Sequence, residues 1–283
     1  MIRWAVLAKE VNKVRFDCLS QFMTSSGIEN ELTYVSANSE TFADELQRCQ
    51  NEFDQIRIGP PFGEIACEHH EMITSTMMTL KSADSLVKQE NHWWLRSSSF
   101  HGIQEFLNRR GESVDLSGAL LVVGSGAAAR IACAAFVKLG FRQVSIASAF
   151  DEQGRAMIED FKRFYFDVTF NFVPKDELVL LPGIYSVIIN TTPYIKSNEL
   201  LPELYFFNFL MRPGLVCDLS MIPPVTPLLQ EAEAIQIPTL GGYQFASCSD
   251  LVWVNWITGK KLSVDKYMAQ LKPALDAASS EED

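Results

Sequence analysis

The stretch Ala119-Leu120-Leu121-Val122-Val123-Gly124-Ser125-Gly126-Ala127-Ala128-Ala129-Arg130 places a glycine-containing turn between an apolar run and an alanine-rich segment. The apolar run predicts a buried strand, and the alanine-rich segment predicts a helix from Ala127 to Leu139 that Gly140 closes. A turn between such a strand and helix can direct backbone N–H groups and the helix N-terminus at a pyrophosphate. The stretch therefore predicts a phosphate-binding strand–turn–helix unit.

The two glycines of this turn have separate expected roles. Gly124 allows the chain to turn tightly, and Gly126 leaves room for the backbone to approach a ligand closely. Alanine at the third glycine position still lets the helix and the strand pack against each other. This pattern favours a Rossmann-type site for NAD or NADP, and the alternative is a tight turn that binds no ligand.

The residues after the second strand leave the choice between NAD and NADP open. An acidic residue there normally binds the ribose hydroxyls of NAD, whereas an arginine binds the 2′-phosphate of NADP. The predicted strand ends in Ala147-Ser148-Ala149-Phe150-Asp151, which has neither residue in the usual place. Asp151 or Arg155 could reach the ribose from the following turn.

Short apolar or β-branched runs alternate with helical patterns on both sides of the loop, which predicts an α/β protein with a parallel sheet. After the loop, strands are expected at Val144–Ala147, Val168–Val173, Tyr185–Asn190 and Leu215–Leu219. The first hundred residues form a separate α/β unit with its own spacing. Its expected strands are Ile2–Leu7, Leu32–Val35 and Gln55–Ile58, its helices are Arg15–Ser25, Thr41–Cys49 and Glu64–Thr74, and a hairpin spans Asp84–Arg96.

Composition limits the classes of partner. The 283 residues carry a formal net charge of −11, and the positive residues form no stripe that could follow the phosphates of a duplex. A nucleic-acid partner is therefore not expected. The sequence shows no signal-peptide core and no stretch long enough to span a membrane, which predicts a cytoplasmic protein without a membrane partner.

The six cysteines are scattered, and none of their spacings is typical of a zinc site or a redox dithiol. We expect reduced, mostly buried thiols and no metal site. The cysteines are Cys18, Cys49, Cys67, Cys133, Cys217 and Cys248.

The chain resembles the shikimate dehydrogenase family, collinearly from about Val11 to Lys261. The resemblance is carried by the glycine loop together with Ile189–Pro193, Asp218–Leu229 and Thr258–Lys260. The first three of these stretches are similar to the family's Gly-Ala-Gly-Gly-Ala-Ala-Arg loop, its Asn-Thr-Thr-Pro turn and its Asp-x-x-Tyr-x-Pro-x-x-Thr-x-Leu-Leu segment. The last fits the end of the family's penultimate helix.

The resemblance implies two α/β domains, one of them discontinuous. Residues 1–100 and 243–283 would form an N-terminal substrate-type domain, and residues 101–242 a Rossmann-like NAD(P)-binding domain with a parallel sheet. A small-molecule ligand would bind in the cleft between them, and the protein would be a monomer or a homodimer. An active enzyme of this type would be an NADP-dependent oxidoreductase of aromatic amino acid biosynthesis.

The residues that the family uses for catalysis are replaced in this chain. Hydride transfer between an alcohol and a nicotinamide needs a group that takes and returns the hydroxyl proton, and the family supplies a lysine and a nearby aspartate. The lysine position falls on Gly63, and the aspartate position falls on His101. His101 is the one candidate catalytic residue, because an imidazole with a pKa near roughly 6.5 suits proton exchange at neutral pH. The alternative is an ordinary polar residue at the start of a connector helix.

The positions that hold substrate in the family are replaced as well. The family's paired serines fall on Asn12 and Val14, its threonine on Gly59 and its asparagine on Asp84. The tyrosine falls on Met221, and the late glutamine falls close to Ser249. Losing several hydrogen-bond partners of a polyhydroxylated acid would leave buried ligand groups unpaired at roughly 1–3 kcal/mol each. Recognition of shikimate is therefore not expected.

Two sets of site residues follow from the loop and the resemblance. The substrate cleft would contain Asn12, Gly63, Asp84, Met221 and Ser249. The cofactor would contact Gly124, Ser125, Gly126, Ala127, Ala128, Arg130, Ser148, Asn190, Thr191, Thr192 and Gly242.

Three functions remain open from the sequence. The first is an NAD(P)-dependent oxidoreductase with an altered substrate or impaired catalysis, in which His101 carries the proton. The second is a non-catalytic dinucleotide or metabolite sensor, that is, a pseudoenzyme. The third is a structural role with an empty glycine loop. The missing lysine and aspartate favour impaired catalysis.

Overall fold

The computed structural model describes residues 1–11, 13–70, 74–110, 114–195, 198 and 200–280. The chain divides into two compact units. Unit 1 contains Met1–Gly102 and Ser247–Ala278, and unit 2 contains Ile103–Ala246 with the chain end from Ser279. Unit 1 is therefore assembled from two segments that are distant in the sequence.

Unit 1 has a five-stranded mixed sheet in the order β2-β1-β3-β4-β5. Its strands are β1 (Ile2–Ala8), β2 (Asn30–Ser36), β3 (Gln55–Ile58), β4 (Ser85–Gln89) and β5 (His92–Arg96). β1 pairs in parallel with β2 and β3, whereas β4 pairs antiparallel with β3 and β5. The hairpin predicted between Asp84 and Arg96 is present as β4 and β5.

Seven helices of the described residues lie wholly or partly in unit 1. They are α1 (Lys13–Ser25), α2 (Phe42–Glu52), α3 (Gly63–Glu68), α4 (Ser75–Leu80), α5 (Ser98–Arg110), α10 (Gly242–Thr258) and α11 (Val264–Ser279). The sequence predicted one helix over Glu64–Thr74, which is wrong in its extent. The first helix ends at Glu68, and Thr74 is the N-cap of the next one, where its hydroxyl accepts a hydrogen bond from Met77 N at 3.4 Å.

Unit 2 has a six-stranded sheet in the order β11-β10-β9-β6-β7-β8. Its strands are β6 (Ala119–Val123), β7 (Gln143–Ser148), β8 (Thr169–Pro174), β9 (Tyr185–Asn190), β10 (Leu210–Asp218) and β11 (Thr239–Gly241). All of the pairings are parallel, as the alternation of apolar runs and helical patterns predicted. The predicted α/β fold with a Rossmann-like parallel sheet is therefore confirmed.

The strand order of unit 2 reverses between β6 and β9. From β6 the chain proceeds outward to β7 and β8, and it then returns to β9 on the other side of β6. Ligands of open parallel sheets bind at the carboxyl ends of the strands at such a reversal. The carboxyl ends of β6 and β9 lead into Gly124 and Thr191, so two of the stretches that carry the family resemblance meet there.

The helices of unit 2 are α6 (Ala127–Leu139), α7 (Asp151–Lys162), α8 (Leu201–Leu204) and α9 (Pro227–Ala234), with a 3₁₀ helix at Lys175–Leu180. Gly140 ends α6 with φ +131°, and its N–H donates to the last turn of the helix. The sequence therefore gave the correct bounds of this helix at both ends. Within the described residues, none of the helices is both long enough and apolar enough to cross a membrane.

One buried carboxylate joins the two segments of unit 1. Asp250 of α10 accepts two hydrogen bonds from the Arg15 guanidinium of α1, at 2.9 and 2.7 Å. Arg57 of β3 donates to the same carboxylate at 3.2 Å, and the Tyr267 hydroxyl of α11 donates at 3.0 Å. The side chains of Asp250 and Arg57 are 0% and 2% exposed, so their charges are compensated inside the unit rather than by water.

Substituting Asp250→Asn removes the negative charge from this cluster while keeping the shape of the side chain. We expect the free energy of unfolding of unit 1 to fall by about 3–5 kcal/mol, because buried Arg57 then lacks its compensating charge. Urea denaturation followed by tryptophan fluorescence measures the change, since all five tryptophans belong to unit 1. Glu45→Gln is the control, because it breaks an exposed ion pair with Arg48 and should leave the transition unchanged. Equal effects of the two substitutions would contradict the assigned role of Asp250.

Candidate functional site

The turn after β6 is closely packed on one side and open on the other. Gly124 has φ +115°, and its N–H donates to Ala147 O at 2.8 Å. A Cβ at Gly124 would collide with the Thr191 hydroxyl, whereas a Cβ at Gly126 would meet no atom within 4 Å. The first glycine thus allows the chain to turn against β9, and the second leaves free space at the N-cap of α6.

The N-terminal end of α6 carries small side chains only. Gly126 is the N-cap residue, Ala127 is half-buried and Ala128 is exposed. The N–H groups of a first helical turn have no partner within the helix, and the helix dipole places positive potential there. The residues at this edge therefore fit the pyrophosphate of a dinucleotide, as the motif predicted.

Ser125 and Ser148 connect the turn to the end of β7. Their hydroxyls lie 2.8 Å apart, and the Ser125 hydroxyl also donates to Gln153 Oε1 at 2.9 Å. The Ser148 hydroxyl in addition accepts from Phe150 N at 3.0 Å. Both serines are buried, so their hydroxyls fix the shape of the loop.

Arg130 points into unit 2 and pairs with α7. Its guanidinium donates to Asp160 Oδ2 at 3.0 Å, and the side chain is buried. The contact joins α6 to α7 behind the loop. It is an ion pair between two helices of unit 2. The predicted cofactor role of Arg130 stays a prediction.

The segment after β9 is held by a buried network around Asn190. The Asn190 amide donates to Asp218 Oδ1 at 3.1 Å and to Thr192 O at 3.1 Å, and its oxygen accepts from the Thr192 hydroxyl at 2.6 Å. The Thr191 hydroxyl donates to Val123 O at 2.7 Å, which joins this segment to the end of β6. The segment is therefore fixed at the carboxyl edge of the sheet.

Asp218 is a member of this network that the sequence analysis did not select. Its carboxylate accepts from Thr226 Oγ1 at 2.7 Å and from Ser220 N at 2.9 Å. Burial raises the pKa of this carboxyl, and its hydrogen bonds partly oppose the shift. An acidic residue at the end of the predicted strand Leu215–Leu219 was the available signal.

Gly242 and Met221 lie near the same edge of unit 2. A Cβ at Gly242 would collide with the carbonyl oxygens of Leu219 and Ser220, so only glycine fits at the start of α10. Met221 is half-buried next to Ser220. Apart from Arg130, the predicted cofactor residues of unit 2 thus lie around the ends of β6, β7, β9 and β10.

Unit 1 contains the remaining predicted site residues, except Asn12, which lies outside the described residues. Gly63 is buried at the start of α3, and its carbonyl accepts from Ala83 N at 2.9 Å. Ser249 is buried on α10 and lies directly against Gly102 of α5, where any side chain would collide with it.

Asp84 caps α5. Its carboxylate accepts from Ser98 N at 2.8 Å, from Ser99 N at 2.7 Å and from the Ser98 hydroxyl at 3.1 Å. Burial opposes the charged form, but the charge of Arg57 and these hydrogen bonds outweigh it and lower the pKa of Asp84. Asp84 is therefore ionised and committed to the helix N-terminus.

His101 lies one turn into α5 with an exposed side chain. Its ring makes edge contacts with Phe100 at 5.2 Å and with Trp256 at 5.5 Å between centroids. Desolvation lowers the pKa of His101, the negative charge of Asp84 raises it, and the Arg96 guanidinium lowers it further. The net shift is downward, so the imidazole is neutral at neutral pH.

Among the described residues, no group of three or more histidine, cysteine, aspartate or glutamate side chains could hold a metal ion. The six cysteines are free thiols, and five of them are buried.

Sequence comparison connects the chain with curated shikimate dehydrogenases. The enzyme named shikimate dehydrogenase (NADP(+)) from Citrifermentans bemidjiense is 30% identical over 126 residues, which are 44% of this chain and 43% of that protein. The protein of the same name from Caldicellulosiruptor bescii is 25% identical over 220 residues, which are 75% of this chain and 73% of that protein. No protein-family model matches the chain.

Solved structures share the fold over nearly the whole chain. Shikimate 5-dehydrogenase of Thermus thermophilus, in complex with NADP(H) and shikimate, superposes with a TM-score of 0.81 and 19% identity, covering 97% of this chain and 100% of that one. Quinate dehydrogenase of Corynebacterium glutamicum, in complex with NAD, has a TM-score of 0.82 and 13% identity, with coverages of 95% and 98%. By sequence and by fold, the chain is similar to shikimate dehydrogenases.

Proposed function

We propose that this chain binds a nicotinamide dinucleotide at the turn after β6 and does not catalyse the shikimate dehydrogenase reaction. The observation that carries the proposal is the open space at Gly126, beside a helix edge formed by Ala127 and Ala128. A pyrophosphate needs both the space and the amide groups that this turn offers.

Different residues of unit 2 would contact different parts of the dinucleotide. The amides of Ser125, Gly126 and Ala127 would hold the pyrophosphate, and the segment that begins at Ser148, at the end of β7, would border the adenosine half. Asn190, Thr191, Thr192 and Gly242 would border the nicotinamide half, as the resemblance implies. The bound cofactor, NAD or NADP, would supply hydride chemistry. From the shikimate dehydrogenases that it resembles, we expect the protein to be an oxidoreductase and to act in the cytoplasm.

The residues of unit 1 support the proposed loss of the family's reaction. At the position of the family's lysine, Gly63 has no side chain that could exchange a proton. At the position of its aspartate, the imidazole of His101 carries no negative charge in either protonation state. Asp84 is a carboxylate nearby in the sequence, but two backbone amides of α5 already occupy it. No group at these positions reproduces the proton-handling pair.

The substrate positions give the same result. Gly59 takes the place of a threonine that the family uses to hold its substrate, and its N–H donates to Leu7 O at 2.9 Å. A Cβ at Gly59 would lie 2.6 Å from the Ala8 Cβ, so the packing of β1 against this loop has no room for a threonine. The replacement is therefore built into the core of unit 1, and a polyhydroxylated acid would lose the hydrogen bond.

A second candidate function is an oxidoreductase that acts on a different substrate. It is favoured by the exposed imidazole of His101, which the lowered pKa keeps available as a neutral proton acceptor at neutral pH. A dinucleotide sensor without catalysis is the alternative. An oxidoreductase would turn over a substrate at a rate that depends on His101, whereas a sensor would show no turnover.

Gly126→Ala tests the proposed cofactor site. The added methyl group meets no protein atom, so the fold should persist, but it fills the space that the pyrophosphate would enter. We expect NADH and NADPH to bind at least about tenfold more weakly, a change of about 1.4 kcal/mol. Titration followed by nicotinamide emission gives the dissociation constants.

Gly183→Ala is the matched control for this measurement. It adds the same methyl group in the same unit, where the nearest atom, Asn208 O, lies at an ordinary contact distance of 3.4 Å. Its affinities should equal those of the wild type. Dissociation constants that are unchanged in Gly126→Ala would contradict the proposed cofactor site.

An absorbance assay at 340 nm tests the loss of the family's reaction. We expect no turnover of shikimate or quinate with NAD or NADP above the rate of a no-enzyme blank, because the proton-handling pair and the substrate donors are absent. If another cyclic hydroxy acid is oxidised, His101→Ala should lower that rate by about 10²–10⁴-fold while leaving dinucleotide affinity unchanged. Turnover of shikimate by the wild type would refute the proposal.

Asp84→Ala and Asp84→Asn test whether this carboxylate serves the fold. Asp84→Ala leaves the buried Ser98 N–H and the partly buried Ser99 N–H without an acceptor. We expect the free energy of unfolding to fall by about 1–3 kcal/mol for the buried group and by less for the other. Asp84→Asn keeps one acceptor and should lose less. Dinucleotide affinity should be the same in both variants as in the wild type.

The pH dependence of the Asp84→Asn effect has a defined sign. Because the folded-state pKa of Asp84 lies below the ordinary value, its stabilising effect is complete above the unfolded-state pKa of about 3.9. The effect is lost as the pH falls through the folded-state pKa. The stability difference between wild type and Asp84→Asn should therefore be constant near neutral pH and shrink in acid. A difference that grows in acid would contradict the assignment.

A further inference from the structure

We propose that the site after β7 selects NAD over NADP, and that Asp151 and Glu152 are the residues that reject the 2′-phosphate. The inference rests on the proposed dinucleotide site, because it concerns the adenosine half of that ligand. It differs from the cofactor in the names of the curated relatives, which are shikimate dehydrogenases (NADP(+)).

The position of the two acids is fixed by the end of β7 and the start of α7. β7 ends at Ser148, Phe150 is the N-cap residue of α7, and Asp151 and Glu152 form its first turn. Both acidic side chains are exposed. In a Rossmann fold, the ribose of the adenosine half is recognised after the second strand, which is β7 in this sheet.

Neighbouring residues add to the negative charge at this edge. Ser148 pairs with Pro174, so β7 and β8 end at the same level of the sheet. The 3₁₀ helix that follows β8 begins Lys175-Asp176-Glu177, and both of its acids are exposed. The two strand ends are therefore followed by four acidic side chains, with Lys175 and Arg155 as the basic residues among them.

Arg155 is turned toward the sheet. Its guanidinium lies over the Phe172 ring of β8, 4.4 Å from the centroid. Binding a 2′-phosphate would require Arg155 to leave this aromatic face, where the cation is stabilised by the ring. Such a rearrangement would weaken NADP binding relative to a site with an arginine already in place.

Ser148 offers no free hydrogen-bond donor for a 2′-phosphate. Its hydroxyl is buried, lies 2.8 Å from the Ser125 hydroxyl and accepts from Phe150 N at 3.0 Å. Among the exposed groups that follow β7, the carboxylates of Asp151 and Glu152 are acceptors suited to the ribose hydroxyls. A carboxylate accepts hydrogen bonds from the 2′- and 3′-hydroxyls of NAD, but it repels the 2′-phosphate, which carries close to two negative charges at neutral pH.

Direct titration of the wild type with NADH and with NADPH at 0.15 M salt tests the selectivity. We expect NADH to bind at least about tenfold more tightly, and the ratio to shrink at 1 M salt because exposed charges are then screened. NADPH binding as tightly as NADH, or more tightly, would overturn the inference. This outcome would leave the proposed dinucleotide site intact.

The double variant Asp151→Asn, Glu152→Gln tests the two residues. It removes both charges from exposed positions, so the fold should persist, and the ratio of NADPH to NADH dissociation constants should fall at least fivefold. Glu159→Gln is the matched control on the exposed side of the same helix, where it loses an ion pair with Lys162 at 2.9 Å, and it should keep the wild-type ratio. An unchanged ratio in the double variant would overturn the assignment of Asp151 and Glu152.

Failure of the proposed function gives a different result from failure of this inference. If neither dinucleotide binds to the wild type, both the cofactor site and its selectivity are refuted. If both bind, and Gly126→Ala weakens both, the site stands and the ratio alone decides the inference. The wild-type ratio is sufficient for this decision even if the double variant is poorly folded.

Discussion

The buried carboxylate of Asp250 is the interaction on which unit 1 depends. It receives Arg15 and Arg57 from the first segment of the unit and Tyr267 from the second, so four elements meet at one charge. Trp253, one turn further along α10, lies against the Arg57 guanidinium at 5.3 Å and against Trp4 at 5.0 Å. Charge compensation and aromatic packing thus hold the C-terminal helices on the N-terminal sheet.

Two further residues of unit 1, Asp84 and Gly59, are engaged by capping and by close packing. Asp84 is ionised and caps α5, and Gly59 is packed so closely against Ala8 that no side chain fits. The family resemblance assigns both positions to substrate binding, whereas the contacts of both residues in this chain serve the structure. In unit 2, by contrast, the hydrogen bonds around Asn190 and Asp218 maintain the edge of the sheet where a dinucleotide would lie.

Much of the fold could be predicted from local sequence patterns. The bounds of α6 were clear because Gly126 and Gly140 mark its ends, and β6 was clear because five apolar residues precede the turn. β11 was missed, because its three residues, Thr239–Gly241, are too few to show a period. The break between α3 and α4 was missed because Thr74 acts as an N-cap in a segment that otherwise looks helical.

The site was predictable as far as its motifs reach. The glycine loop and the Asn190–Thr192 turn were selected from the sequence, whereas the pairing of Arg130 with Asp160 and the capping role of Asp84 depend on residues brought together only by folding. Single side chains in a motif have several candidate partners, and the sequence does not rank them. Tertiary contacts decide whether such a residue serves a ligand or the fold.

The discontinuity of unit 1 determines the order in which the chain can fold during synthesis. Asp250 lies 235 positions after Arg15, so it is synthesised much later. Until then Arg15 and Arg57 of the N-terminal segment lack the carboxylate that compensates their charges. Unit 2 is almost entirely a single continuous segment and can fold before the C-terminal helices are made. Truncation near the C-terminus would consequently spare unit 2 and leave unit 1 exposed to chaperones and proteases.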